Sequence, residues 1–350
     1  MRIKFENANI VVCNESFDIL QGVLVTNNNV IEYVGDSYST DVDRVVDCKG
    51  GYLMPGLINA HTHIEDNVEY YIDDMISNGI TTIVALNNEP LRTAKVMNEK
   101  KVRGVVGVNC VDYDTAISIL EELKSYPNIS VVAYAPNMYN LSDDDYINYI
   151  KVCKLYGIPF TTHVSESLYD VGQCDKEYGM SPVKLLESYG MFDIPCIIVG
   201  ATHIDKEDIE ILSRYGVDVV STPSSNMMMG YGIAPVYAMA KNNINIGIGT
   251  DEVSGNDIFR EMYNLVSLQR GIMRDDSILD SSFAIQSATL NSARMYGLNN
   301  GVLQKDRFSD IILLEAREST SNISDSIAYY TNPKHIKFVL IDGNIVFDSL

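Results

Sequence analysis

His61 and His63 stand two apart in INAHTHIEDN, in a 350-residue chain with only five histidines. Further groups of the same chemical kind follow: His163 in TTHVSES, His203 in VGATHID and Asp251 in GIGTDEVS. Neutral imidazoles with one carboxylate make a donor set suited to a zinc-like or ferrous-like ion. Such an ion can lower the pKa of bound water from about 15.7 to about 7, giving hydroxide at neutral pH. Any one of these histidines could be a core residue bonded to a backbone carbonyl. Four of the five, together with an aspartate, are better explained as one site.

The site needs elements to position it. Eight short apolar runs cross the middle of the chain: YLMPGLINAHTH, TTIVALN, VRGVVGVN, ISVVAYAP, PFTTHVSE, CIIVGATH, VDVVSTPSS and INIGIGTDE. Each has the length of a buried strand, and seven stretches with helical periodicity separate them. In DTAISILEELKSY, Ala116, Ile119, Leu120 and Leu123 share one face, and Asp114 is expected as the N-cap. An eightfold alternation over roughly 240 residues predicts a (β/α)8 TIM barrel. A doubly wound open sheet is the competing architecture.

Strand side chains alternate with period two, so His61 and His63 point the same way. His61, His63, His163, His203 and Asp251 all fall at C-terminal ends of expected strands, the face that carries barrel active sites. Only His335 lies elsewhere. The fourth run ends without a lysine to carry a bridging carbamate, so one ion is expected rather than two. Both chain ends read as short strands. IVVC, GVLVTN and VIEYVG open the chain, and DIILLEA, IKFVLID and NIVFDS close it, with a turn at Asp342-Gly343. The expected division is 1–51, a 52–300 barrel, and 301–350.

With 47 acidic against 26 basic residues the net charge is −21. That excludes a nucleic-acid partner and docking on an anionic membrane, both of which need clustered cations. No run approaches the ~20 apolar residues of a membrane span, and the N-terminus lacks the apolar core of a signal peptide. Six scattered cysteines without a C-x-x-C predict free thiols and a cytoplasmic location.

At these residues the chain resembles the amidohydrolase superfamily. Within it, the chain looks most like the branch of methylthioadenosine/adenosylhomocysteine deaminases and triazine chlorohydrolases. The matching stretches are GYLMPGLINAHTHI, HVSES, ATHIDKEDIEIL, STPSSNMMMGYGIAP, GIGTDEVSGND and SATLNSARMYGL. The resemblance implies metal ligands at His61, His63, His163 and Asp251, for one divalent ion, zinc first and iron as the alternative. It implies that Glu166 shuttles protons and that His203 orients water or substrate. Asp251 would also take the water's proton. Asn226, heading NMMMGYG, is expected to contact substrate together with Glu166 and His203. The two β-rich ends would pair into a small β-sandwich.

This chain departs from the branch in four places. The segment after His63 is short, the chain has no Trp, Ser221 stands where a His is common, and Glu252 stands where a Gly is common. The NMMMGYG stretch reads equally as a substrate-side loop or as core packing.

The expected activity is hydrolytic deamination of an amino-substituted heterocycle, purine- or pyrimidine-like, by hydroxide formed at the metal. The alternatives are hydrolysis of another C–N or C–Cl bond, such as a cyclic amide, and a silent binding protein on the same fold. The expected partners are a small heterocycle and water, with a homo-oligomer allowed.

Overall fold

The eight apolar runs become eight parallel strands in the computed structural model, which describes residues 1–64, 67–252, 256–316 and 322–350. The first four are Leu57–His63, Ile80–Leu86, Arg103–Val108 and Ile129–Ala135. Phe160–Val164, Cys196–Gly200, Asp218–Ser221 and Ile246–Ile248 complete the set. Their order in the sheet follows the chain. The ring closes where Thr62 pairs with Asp251, and where the amides of Thr250 and Asp251 donate to the carbonyl of His61 at 3.1 and 3.0 Å. The (β/α)8 expectation therefore holds and the open sheet does not. Strands such as Ile80–Leu86 are buried along their whole length, as parallel strands covered on both faces must be.

The run YLMPGLINAHTH is two strands rather than one. Tyr52–Pro55 pairs antiparallel with Ile311–Leu314, outside the barrel, and Leu57–His63 opens the barrel. Gly56 makes the crossing. A Cβ there would lie 2.1 Å from the Thr81 hydroxyl, so only glycine fits.

Both termini build one mixed sheet beside the barrel. Its path runs Asn344–Asp348, Ile336–Ile341, Ile311–Leu314, Tyr52–Pro55, Arg2–Val11, Ile19–Asn27, Val30–Gly35, with Arg44–Asp47 pairing to Arg2–Val11. It buries its own core, in which Phe5 meets Phe338 edge to face at 5.5 Å. The C-terminal part is not wholly β. Helix Ile323–Tyr330 packs on helices Ile258–Met273 and Ser281–Ser287. Helix Tyr113–Leu123 buries Ala116, Leu120 and Leu123, but its N-cap is Asp112, which accepts from the Thr115 amide at 2.7 Å. Asp114 lies inside the first turn, because the extended backbone that a cap requires falls at Asp112. Among the described residues no helix is long and apolar enough to cross a membrane.

A buried ion pair joins the two parts. Arg103, at the base of the third barrel strand, donates to both carboxylate oxygens of Asp310, at 2.7 and 3.2 Å, and to Asp342 at 3.1 Å. Asp310 is fully buried and also accepts from Asn300 and from the Asp342 amide. Asp310→Ala strands a buried guanidinium, so it is expected to cost about 3–5 kcal/mol. Denaturant unfolding would read this directly, and a loss below about 1 kcal/mol would show that the clamp is not structural.

Candidate active site

Four side chains converge at the C-terminal mouth of the barrel. Nε2 of His61 lies 3.2 Å from Nε2 of His63, which lies 3.4 Å from Nε2 of His163. Oδ1 of Asp251 is 3.3 Å from the first two nitrogens and 3.9 Å from the third. All four donor atoms fall within 4.8 Å of one another. The barrel staging explains this. His61 and His63 leave the first strand on one face, His163 sits on the fifth, and Asp251 follows the eighth. Gly249 lets the eighth strand close on the first, since a Cβ there would meet the His61 carbonyl at 2.6 Å. Backbone strain marks the same rim: Ser165, Ala201 and Asp251 all hold positive φ, at 51°, 48° and 55°. Such outliers collect at functional sites, where the surrounding packing has to hold them.

The residues fit a metal ion. Nδ1 of His63 is 3.1 Å from the carbonyl of Leu86, which can only accept, so Nδ1 carries the proton and Nε2 offers a lone pair. Burial holds the pKa of His61 down at about 3, so its ring is neutral, as a ligand must be. Burial alone would raise the pKa of Asp251, yet the imidazoles of His61 and His63 hold it below the usual carboxylate range. Its Oδ1 is buried among nitrogens and has no hydrogen-bond partner. Donors about 2.0–2.1 Å from a tetrahedral ion stand roughly 3.3 Å apart, and most of the spacings here are close to that.

Glu166 lies beside this cluster. Its Oε2 is 3.1 Å from Nδ1 of His163 but is poorly aligned for a hydrogen bond, and its buried Oε1 has no partner. It lines a cavity of about 820 Å³ together with His63, His163, Asp251, Tyr134 and Tyr231.

Two expected residues sit differently. His203 gives its Nε2 to the carbonyl of Tyr231 at 2.6 Å and is not part of the cavity wall. Asn226 is 1% exposed, and its amide is spent on the hydroxyls of Thr202 and Thr222. Asn226 therefore ties the ends of the sixth and seventh strands together instead of reaching the cavity. The methionine run is not core packing: Met227, Met228 and Met229 are exposed, and Met229 lines the cavity. Parts of two motifs, at 65–66 and 253–255, lie outside the described residues.

The sequence reading did not single out Ser225. It is buried, and its hydroxyl donates to Oδ2 of Asp251 at 2.6 Å, leaving Oδ1 for the donor cluster. Its signal was present in STPSSN, but nothing in the motif said which atom the serine would meet. Ser225→Ala is expected to weaken metal affinity or activity about 10–100-fold with the fold intact. Competitive metal titration checks this, and unchanged affinity and turnover together would remove Ser225 from the site.

A closed barrel with a three-histidine, one-carboxylate donor set at its mouth defines a hydrolase scaffold able to hold one divalent ion. The Amidohydrolase family model matches residues 52–346, and the chain belongs to that family. It is 28% identical to a 5-methylthioadenosine/S-adenosylhomocysteine deaminase of Acetivibrio thermocellus, covering 100% of this chain and 94% of that one. A zinc-bound adenosine deaminase from Xanthomonas campestris has the same fold, with TM-score 0.90, 22% identity, and coverage of 99% and 93%. So does a zinc-bound atrazine chlorohydrolase from Arthrobacter aurescens, with TM-score 0.87, 18% identity, and coverage of 99% and 95%. The sequence-based assignment to the amidohydrolases holds, and the relatives it resembles are named as deaminases and a chlorohydrolase.

Proposed function

We infer that the protein hydrolytically deaminates a purine- or pyrimidine-like heterocycle, with zinc held by His61, His63, His163 and Asp251. The observation that carries this is Glu166, which lines the cavity beside the donor cluster and keeps one buried carboxyl oxygen without a hydrogen-bond partner. A cyclic amide needs a proton on its ring nitrogen only as the C–N bond breaks, whereas an aminated ring needs one on the neighbouring ring nitrogen as water adds. When bound, zinc supplies a Lewis acid that makes water nucleophilic at neutral pH.

The chain's own residues do the rest. Glu166 delivers a proton to the ring nitrogen beside the amino-bearing carbon, which makes that carbon electrophilic. Oδ1 of Asp251 accepts a proton from the attacking water while Ser225 holds Oδ2. That proton passes to the amino group, which leaves as ammonia; the added hydroxyl returns its remaining proton to Glu166, and the ring carbon becomes a carbonyl. No step is assigned to His203, whose Nε2 is committed to Tyr231. The relatives named as deaminases support the reaction class. Six free, buried cysteines support a reducing compartment, the cytoplasm.

The test is ammonia release from bases, nucleosides and pterins by zinc-loaded protein, with bound metal measured on the same sample. Ammonia from at least one class is expected. Release of chloride or ring-opened product alone, without ammonia, would overturn the assignment.

A further inference from the structure

The cavity wall carries five carboxylates: Glu89, Glu166, Asp170, Asp251 and Glu252. Among the described residues no lysine or arginine lines it. Arg92 is engaged with the cavity-lining Glu89 at 2.9 Å and with Glu69 at 3.6 Å. Asp170 is held by the amide and hydroxyl of Ser167, at 3.1 and 2.7 Å, which orients its charge without neutralising it. Glu166 is uncharged while it holds the proton it donates and Glu89 is paired with Arg92, so Asp170, Asp251 and Glu252 remain, and a divalent ion would offset two of these three charges. What remains for a ring to lie against is aromatic: Tyr134, Tyr139, Tyr169 and Tyr231. At the outer edge Tyr169 is 73% exposed and Met229 46% exposed, so a substituent leaving the cavity meets apolar surface and carboxylates.

We propose that this cavity is a charge filter: it takes neutral or cationic amino-heterocycles and rejects those bearing a phosphate or carboxylate. The proposal rests on the deaminase reading and narrows its substrate class. The physical cause is twofold. A cleft lined by one sign of charge concentrates its field and changes local ligand concentration and on-rates by about 10–10³-fold. An anionic group seated there also finds no cation to replace its lost hydration. The whole-chain charge of −21 acts in the same direction at longer range.

Two measurements on zinc-loaded protein test this. The first compares kcat/KM for ammonia release from an amino-nucleoside and its 5′-monophosphate. The expected preference for the neutral member is at least about tenfold at 0.01 M salt. It should shrink at 1 M, where the screening length falls from about 30 to 3 Å. The second needs no turnover. It follows metal removal by neutral 1,10-phenanthroline and by dianionic pyridine-2,6-dicarboxylate. The dianion's rate should rise several-fold with salt while the neutral chelator's stays flat, and Glu252→Gln should speed the dianion at low salt.

No ammonia from either nucleoside, with the chelator pattern intact, would sink the nucleoside-deaminase reading and leave the filter standing. Equal kcat/KM for the pair, or a dianion rate flat in salt, would overturn the filter itself.

Discussion

Glu166→Gln is expected to keep the fold and the metal and to lose about 10²–10⁴-fold in kcat, the usual contribution of general acid–base catalysis. The glutamine is nearly isosteric, and Glu166 meets the cluster through Nδ1 of His163, at 3.1 Å, the nitrogen opposite the Nε2 that faces the other donors. Packing and ion coordination should therefore barely change. What disappears is the ability to give up and take back a proton. The competing view makes Glu166 a support for the His163 ring. The geometry speaks against it, because the contact is poorly aligned and leaves Nδ1 of His163 without a hydrogen-bond partner. A support role would show as weaker metal retention with an activity loss of about 10–100-fold. Metal content and kcat measured on one preparation separate the two. Full metal with near-wild-type turnover would remove Glu166 from both roles and point to another acid in the cavity.

How far the sequence could be read follows from what each signal encodes. The barrel was legible because buried parallel strands appear as short apolar runs, and eight of them alternated with amphipathic helices. The donor cluster was legible for a related reason: period two fixed the common direction of His61 and His63, and strand ends fixed the common face of the others. Hydrogen-bond partners were not legible, because they depend on which side chains meet across the barrel. Ser225 and Asn226 are neighbours in one motif, yet one reaches Asp251 and the other turns to Thr202. Strand position placed His203 correctly, but could not show that the loop carrying Tyr231 would take its Nε2. The split at Gly56 was hidden because Pro55 and Gly56 sit inside one unbroken apolar run, where only the backbone contact with Thr81 reveals the crossing. The helix Ile323–Tyr330 was missed between strand signals that were stronger than its own.

His61→Ala is expected to abolish stoichiometric metal binding and, with it, activity. His61 is fully buried, so no water-exposed side chain stands ready to replace its Nε2. Its loss leaves three donors and exposes Oδ1 of Asp251 on one side, at a site whose spacings otherwise suit a tetrahedral ion. Elemental analysis after dialysis against zinc reads the loss directly. A second readout does not depend on catalysis. An ion that binds only the folded chain stabilises it by RT ln(1 + [L]/Kd), about 4 kcal/mol at a thousandfold excess over Kd. Chelation should therefore lower the unfolding temperature of the wild type and leave that of His61→Ala unmoved. His203→Ala supplies the contrast. Its ring lies outside the donor cluster, so that variant should bind metal as the wild type does and respond to chelator in the same way. Should His61→Ala retain one equivalent of zinc at wild-type affinity, the ion sits elsewhere. If His203→Ala instead loses it, the donor set has to be redrawn around the sixth strand.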